Sequence, residues 1–595
     1  MERILARDLP AHTGEQVLVK GWLHTSRVLG KLAFLVLRDR SGLMQVVVED
    51  KALIDQLKTL QVGTVMTVAA TVAANEKVQG GVELSAPAIE ILSEVTEPMP
   101  LEINKEHIKA GLDTILDYRP LTLRHQQYQA IFRIQATLVQ AYREFLISEG
   151  FTEFFGPNVI GASSEGGAEL FEVNYFGERA LLSQSAQLYK QMMVGVYERV
   201  FALMKCFRAE KSNTRRHLTE ATQFEFEMGF IENVSEVMDM LERVVKFMIA
   251  RVAERHQDEL KLLGAELVLA PGEVRFPRIT FKEALQLVFE RTGVDERGEN
   301  DLSPFAEKEL CSFAREEYGT DFIFVSHFLR SKTAFYAHPN HEDPEVSNYF
   351  DLLCREIEIA SGGQRIHEKE MLVESLELKG LNPDAFADYL SIFEFGMPPH
   401  GGFGMGMERF TMMALGLENI RMATLFPSDT KRIAGVRLAE KVFTGQDLRD
   451  ELLRSLNEGG VSFTEVQHEP VSTSEEAAAA RGTDLSAGIK ALILKSKKSD
   501  ERIMVCVPAD EKLDMKKIQE VTGSRYEFEK PEVIKTVYGL EVGAVPPFGN
   551  LLGLKTYFAA RIAENDTVAF NAGTRTDSVV MNSADLIRIT EPQII

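Results

Sequence analysis

Cysteine is scarce in this chain. Four residues (Cys206, Cys311, Cys354 and Cys506) are spread over 595, and none forms a C-x-x-C pair. That spacing excludes a disulfide framework and a cysteine-rich zinc site, and it predicts a reducing, cytoplasmic setting. An uninterrupted apolar span of membrane length is also missing, so no membrane association is expected, and "MERILARDLP" does not read as a signal peptide. Internal repeats and long low-complexity tracts are absent; only a short alanine run stands at 477–480. Positive charge is in deficit, with 66 Lys and Arg against 89 Asp and Glu and a formal net charge of -23. Indiscriminate nucleic-acid binding is thereby excluded, whereas a basic groove on an acidic body is not.

What is present suits a soluble globular chain: 45% hydrophobic and 26% charged residues. At about 100–200 residues per domain, the length predicts three or four domains. Residues 1–100 read as all-β. "QVLVKGWLHTSR", "LAFLVLRDRSGLMQVVVED" and "TVMTVAATVAA" are rich in β-branched residues, "RDRSGL" supplies a turn, and a small five-stranded barrel is expected. "SEVTEPMPLEINKE" is acidic, carries prolines and lacks periodicity, so 101–125 reads as linker or hinge. In "QQYQAIFRIQATLVQAYREFLISEG" apolar residues recur at three- and four-residue steps, which predicts a helix closed by Gly150. Mixed strands and helices fill 126–442. "TGQDLRDELLRSLNEGG" opens a last unit, 445–595, with Asp447 as a helix cap and Gly459 and Gly460 as the stop. The fold class is α/β multidomain.

The densest chemistry lies in "FRAEKSNTRRHLTE" (207–220). Arg208, Lys211, Arg215, Arg216 and His217 stand there with Glu210 and Glu220 between them, directly after the apolar run "RVFALMKCF". An arginine after a strand, with an acid two residues on, can hold a phosphate and an NH-bearing group at adjacent points. Guanidinium is the bidentate choice for phosphate oxygens. Taken alone, the stretch reads first as a solvated hairpin. A second stretch, "FGMGMERFTMMALGLENIRMATLFP" (403–427), is a glycine-rich strand running into an apolar helix with Arg409 at the junction. Its small residues let a ligand approach the backbone, and the arginine can reach a phosphate or stack on a base.

Together, "FRAE…RHLTE" and "GMGMER" resemble motifs 2 and 3 of the class II aminoacyl-tRNA synthetases, and "EFLISEGFTEFFGPNVIGASSEGG" with Pro157 is similar to motif 1 at the dimer interface. "QSAQLYKQ" (184–191) and "EIEIASGGQRIH" (356–367) resemble the aspartyl branch, archaeal and eukaryotic type. The resemblance covers 1–440 and implies an antiparallel-sheet catalytic domain at 126–442. It implies an aspartate–tRNA ligase that uses ATP and Mg2+, acts on tRNA-Asp and works as a homodimer. Arg208 would hold the α-phosphate and the aspartate carboxylate, and the ATP site would also include Ala209, Glu210, Arg216, His217 and Leu218. Gly406, Met407, Glu408 and Arg409 would complete it, with Arg409 on adenine or the γ-phosphate. Glu358 and Ser361 would be the magnesium and phosphate positions, with Asp351 a second acid. Glu165, Gln187 and Lys190 would bind the amino acid, and Arg365 its side-chain carboxylate. An asparaginyl enzyme or a non-catalytic RNA-binding paralogue are the alternatives; the context of His367 favours aspartate, and intact Arg208, Glu358, Arg365 and Arg409 favour catalysis. The sequence departs from the family pattern at Ala186, Ala221, Ala334 and Ser428.

The N-terminal barrel resembles an OB-fold anticodon reader, in which Phe34 beside Arg27 and Gln45 suits unstacked bases. The other reading of Phe34 is barrel core. His24 stands where relaxed enzymes of this type carry histidine, so charging of tRNA-Asn as well is expected. The tail at 445–595 resembles the YbaK/ProX-type editing domain that deacylates mischarged tRNA. Its signals are "TSEEAAAARGTDLSAGIKALILK", "GAVPPFG" (543–549) and "FNAGTRTDSVVMNSADLIRI". Lys490 falls on that family's functional lysine, and the tail is expected either to hydrolyse such a substrate or to dock it.

Overall fold

The computed structural model describes all residues except 79, 162–169, 210–213, 438–443, 472 and 498–500. Its chain separates into two compact units, Met1–Arg437 and Leu438–Ile595. Among the described residues no helix is long and apolar enough to cross a membrane.

The first unit opens with the expected closed five-stranded barrel. Its strands are β1 (Gln16–Leu29), β2 (Leu32–Arg38), β3 (Leu43–Val48), β4 (Val65–Ala74) and β5 (Val82–Ser93), ordered β1-β2-β3-β5-β4. Strict alternation in "LAFLVLR" turns Ala33, Leu35 and Leu37 into the barrel. Phe34 therefore lies on the outer face and is not barrel core. Arg27 is directly opposite Phe34, and Val36, two residues on, is opposite Gln45, so all three polar and aromatic candidates share that face. His24 is the extra residue of a bulge between Leu23 and Thr25. The segment expected to be a linker carries two short helices, Leu112–Asp117 and Arg119–Thr122.

Beyond it, helix α1 (Gln126–Ser148) matches the apolar periodicity, with Gly150 in the left-handed region just past its end. The central sheet has eight strands: β6 (Thr152–Glu153), β7 (Arg199–Phe207), β8 (Glu220–Gly229), β9 (Arg278–Thr280), β10 (Phe322–Ser326), β11 (Tyr349–Cys354), β12 (Ile357–Arg365) and β13 (His400–Gly406). Their order is β9-β10-β11-β12-β13-β8-β7-β6, antiparallel except at the β9–β10 and β6–β7 edges. One face of the sheet buries aromatic rings under α1 and α2 (Val234–Arg255). Phe226 meets Phe403 at 4.5 Å between ring centroids, and Tyr142 of α1 meets Phe224 at 4.7 Å. In "EATQFEFEMG" the phenylalanines take that face, so Gln223, Glu225 and Glu227 are turned to the other.

The second unit has its own core and two sheets. Five strands are ordered Tyr526–Phe528, Ile489–Ser496, Arg502–Pro508, Lys555–Phe558, Gln593–Ile594, and three are ordered Phe463–Gln467, Asp577–Asn582, Thr567–Asn571. Its first helix, Gly445–Glu458, is capped by Thr444. Asp447 is the reciprocal acid of the capping box three residues on, which corrects the expected cap by one step of the same motif.

Candidate active site

On the face of the sheet away from the aromatic core lies a cavity of about 600 Å³. Arg208, Gln187, Lys190, Asp351, Glu358, Ser361 and Arg365 all line it, although the chain separates them by up to 178 positions (365 minus 187). Strand register brings them together. Lys190 and Gln187 come from helix Gln187–Tyr197, Arg208 follows the end of β7, and the others come from β11 and β12.

Glu358 and Ser361 are three positions apart, and an unbroken strand would put them on opposite faces. The register steps from Ala360 opposite Leu352 to Glu358 opposite Leu353, so Ile359 is surplus and a bulge returns both side chains to the cavity. Ser361 lies opposite Asp351 on the neighbouring strand. Asp351 is half-buried and its carboxyl is pushed well above its usual range, by desolvation first and then by Glu358, Asp301 and Glu307. Carboxylates crowded in this way favour a cation between them. No group of three or more His, Cys, Asp or Glu side chains is spaced to hold a metal ion among the described residues. Two carboxylates and a hydroxyl nonetheless suit magnesium, whose remaining oxygens come from water and phosphate.

Deeper in the site two cations meet two acids that the sequence reading passed over. Arg365 donates from Nε to Glu227 Oε1 at 2.8 Å and from Nη2 to the Gly402 carbonyl at 2.9 Å. Lys190 Nζ donates to Glu225 Oε2 at 2.6 Å and to the Phe403 carbonyl at 2.9 Å, and lies 3.3 Å from Glu227 Oε2. All four side chains are at most 3% exposed. Burial raises the Glu225 carboxyl above its ordinary value even against Lys190. At Glu227 burial is outweighed by Arg365 and Lys190, and its carboxyl falls below the ordinary value. The three protons of Lys190 are thus directed into the protein. Arg365 Nη1, by contrast, makes no hydrogen bond among the described residues. His400, which burial lowers to about 4, stays neutral behind this cluster; its Nδ1 donates to the Pro398 carbonyl at 2.8 Å and its Nε2 accepts from Gln191 Nε2 at 2.9 Å, while Gln191 Oε1 accepts from Gln187 Nε2 at 3.0 Å.

The glycine-rich strand has a different first use from the one expected. A Cβ at Gly402 would fall 2.3 Å from Glu227 Oε2 and 2.0 Å from the Phe226 carbonyl. The missing side chain makes room for a carboxylate of the next strand. Gly404, which faces Glu225, does line the cavity.

Of the nucleotide-binding expectations, Arg409 Nη1 donates to the Glu358 carbonyl at 2.9 Å, and Arg216 Nη1 pairs with Glu307 at 3.1 Å. His217 Nδ1 lies 2.6 Å from Thr214 Oγ1. Met407, Glu408 and Arg409 belong to the first turn of helix Met407–Leu415, with Gly406 closing β13 before it. Two side chains are turned away from any ligand. Leu218 packs into the aromatic core, and Glu408, 2% exposed, accepts the Thr222 N–H at 2.9 Å. Ala209 is half-buried beside Arg208. Glu165 and Glu210 lie outside the described residues. The acids at 225 and 227 stand as an i, i+2 pair in "QFEFEMG", a pattern that any ordinary strand alternation also produces.

In the second unit, Lys490 lines a separate cavity of about 420 Å³, bordered by Gly543 and Val545 of "GAVPPFG". Lys490 Nζ donates to the Glu511 carbonyl at 3.3 Å.

Comparison with known proteins agrees with this layout. Residues 111–430 match the family model for class II tRNA synthetases (D, K and N), 17–92 the OB-fold nucleic acid binding domain, and 468–589 the aminoacyl-tRNA editing domain. An aspartate–tRNA(Asp/Asn) ligase of Thermus thermophilus is 44% identical over 431 residues, 72% of this chain and 99% of that protein. An aspartate–tRNA(Asp) ligase of Pyrococcus horikoshii is 41% identical, over 71% of this chain and 96% of that protein. Among solved structures, asparaginyl-tRNA synthetase of Pyrococcus horikoshii with asparaginyl-adenylate superposes with a TM-score of 0.69 at 33% identity, covering 73% of this chain and 99% of that one. A putative aspartyl-tRNA synthetase of Leishmania major gives 0.66 at 32%, over 73% and 95%.

Proposed function

Since this chain belongs to the class II aminoacyl-tRNA synthetases of the aspartate, lysine and asparagine group, we propose that it activates L-aspartate with ATP and transfers it to tRNA-Asp and to tRNA-Asn. The carrying observation is the convergence of Arg208, Arg365, Lys190 and the Asp351–Glu358 pair on one cavity. In this reading Arg365 uses its spare Nη1 to grip the aspartate side-chain carboxylate. Lys190 acts through Glu225 and Glu227, which fix the strand edges and the guanidinium. Gln187 and Glu165 take the ammonium group. Arg208 holds the α-carboxylate against the α-phosphate, and its charge disperses the negative charge that grows as the carboxylate oxygen attacks phosphorus and pyrophosphate leaves. Arg216, His217 and Arg409 carry the rest of the triphosphate and the adenine, with Ala209, Glu210, Gly406 and Met407 framing the nucleotide. Asp351, Glu358 and Ser361 would hold magnesium, which neutralises phosphate charge when bound.

The reading includes a homodimer, for which the 85% exposure of Phe155 and 43% exposure of Val159 beside Pro157 call for a covering partner. A cytoplasmic site of action goes with its tRNA substrates. The outer barrel face with His24, Arg27, Phe34 and Gln45 takes the anticodon. Relatives named for tRNA(Asp/Asn) support the relaxed specificity. Charging purified tRNA-Asp and tRNA-Asn with radiolabelled aspartate is expected to aspartylate both, and His24→Trp to confine charging to tRNA-Asp. A wild-type enzyme that leaves tRNA-Asn uncharged would remove the relaxed specificity from this reading. Asparagine in place of aspartate is expected to support no ATP–pyrophosphate exchange; if it alone supports exchange, the asparaginyl alternative replaces this one.

The second unit, in the same reading, binds the acyl end of a mischarged tRNA at the Lys490 cavity and hydrolyses its ester with water. Lys490→Ala is expected to abolish release of amino acid from a panel of mischarged tRNAs while aminoacylation continues.

A further inference from the structure

The cavity of the second unit contains a second cation that the foregoing reading does not use. Arg481 ends helix Ser474–Arg481 and is half-buried in the wall. Neutral groups alone hold it. Its Nε donates to Ser578 Oγ at 2.8 Å and its Nη2 to Asn571 Oδ1, while Ser578 Oγ itself donates to Asn571 Oδ1 at 2.9 Å. Both partners are fixed from behind: Asn571 Nδ2 donates to the Gly543 carbonyl at 2.6 Å, and Ser578 lies 2.7 Å from His468 Nε2.

Nη1 of Arg481 makes no hydrogen bond among the described residues and is not buried. No described carboxylate lies within ion-pair distance of Arg481 or of Lys490. Glu529, the acid in the cavity wall, is held by Arg502 at 2.5 Å. Burial lowers the Arg481 guanidinium to about 10, with no acid to restore it, yet it stays charged at neutral pH. A buried charge without a counter-ion is costly unless a ligand supplies one. Held rigid by neutral acceptors and with one NH2 edge open, the group is organised in advance for an oxyanion.

We propose that Arg481 is the anion-binding residue of this cavity and takes a carboxylate or phosphate oxyanion carried on the acyl end of a charged tRNA. This deepens the reading of the second unit as an acyl-end pocket and rests on it. Two sources share the chemistry, the side-chain carboxylate of an acidic aminoacyl ester and the phosphate of the terminal nucleotide.

Calorimetric titration of the full chain tests the proposal, with the synthetic site saturated by L-aspartate and a non-hydrolysable ATP analogue. Three hydrolysis-resistant probes are used: 3′-aspartylamino-adenosine, 3′-alanylamino-adenosine 5′-phosphate, and 3′-alanylamino-adenosine without phosphate. One of the two anionic probes is expected to bind about tenfold or more tighter than the neutral one, as loss of a charge-assisted hydrogen bond implies. Which of them does so identifies the source. Arg481→Gln should erase that gap with aminoacylation unchanged, and Arg481→Lys, which keeps the charge without the fork, should fall between and carries the test if the glutamine variant does not fold. A gap that survives both substitutions, or no gap in the wild type, overturns the proposal. The acyl-end reading survives that outcome if Lys490→Ala still weakens the neutral probe; if the wild type binds none of the three, both fall.

Discussion

Replacing Arg208 by alanine is expected to lower aspartate-dependent ATP–pyrophosphate exchange by about 100- to 1000-fold, the range seen when one fixed donor to a developing oxyanion is removed. The thermal midpoint should barely move. Arg208 is exposed at the cavity, and its backbone N–H is held by the Thr219 carbonyl at 3.0 Å. Surface substitutions of this kind usually alter stability by about 0.5 kcal/mol or less. Exchange kinetics and a melting curve on the same preparation check both halves. A fall in rate accompanied by a large fall in midpoint would mean that Arg208 holds the fold and not the reacting phosphate.

Arg365→Leu should fail in the opposite way. Its guanidinium is buried and pulled above its ordinary pKa against the cost of burial, by Glu227 first. Deleting it leaves Glu227, fully buried, facing Lys190 alone; breaking such a pair typically costs about 3–5 kcal/mol. Aspartate-dependent exchange is expected to vanish and denaturation of the first unit to shift to markedly lower urea. The double variant Arg365→Leu/Glu227→Leu separates these losses, because apolar groups of similar volume often replace a buried pair without penalty. It should recover most of the stability and none of the exchange. Exchange that returns with stability would reduce Arg365 to a structural residue.

These two arginines also show how far the sequence could be read. Both were visible because guanidinium side chains in short motifs have few structural uses. The barrel and the long helix were equally legible, since β-branched alternation and three- and four-residue apolar spacing reflect the geometry of single elements. Glu225, Glu227 and His400 escaped for the converse reason. Their meaning arises between strands, from the pairing of Glu227 with Gly402 and of Arg365 with His400, and local periodicity carries no information about which strands adjoin. Lys190 was expected to bind the amino acid, and only the folded sheet shows the two acids, Glu225 and Glu227, that it meets. Glu408 and Leu218 were swept in by motif position, although their side chains face the interior. Arg481 has no signal of its own in the sequence, since a cation at the end of a short helix ordinarily serves the helix end.

The surplus residue at Ile359 has an implication for how such chains diverge. Since a hydroxyl and a carboxylate three places apart reach the same side only through that irregularity, what must be inherited is a count of residues, whereas the identity at 359 is constrained only by its burial. Exchanges of one aliphatic for another there are neutral in principle. Loss of a single codon would turn half of this cavity lining into the aromatic layer, so this stretch should tolerate spelling changes far better than changes of length.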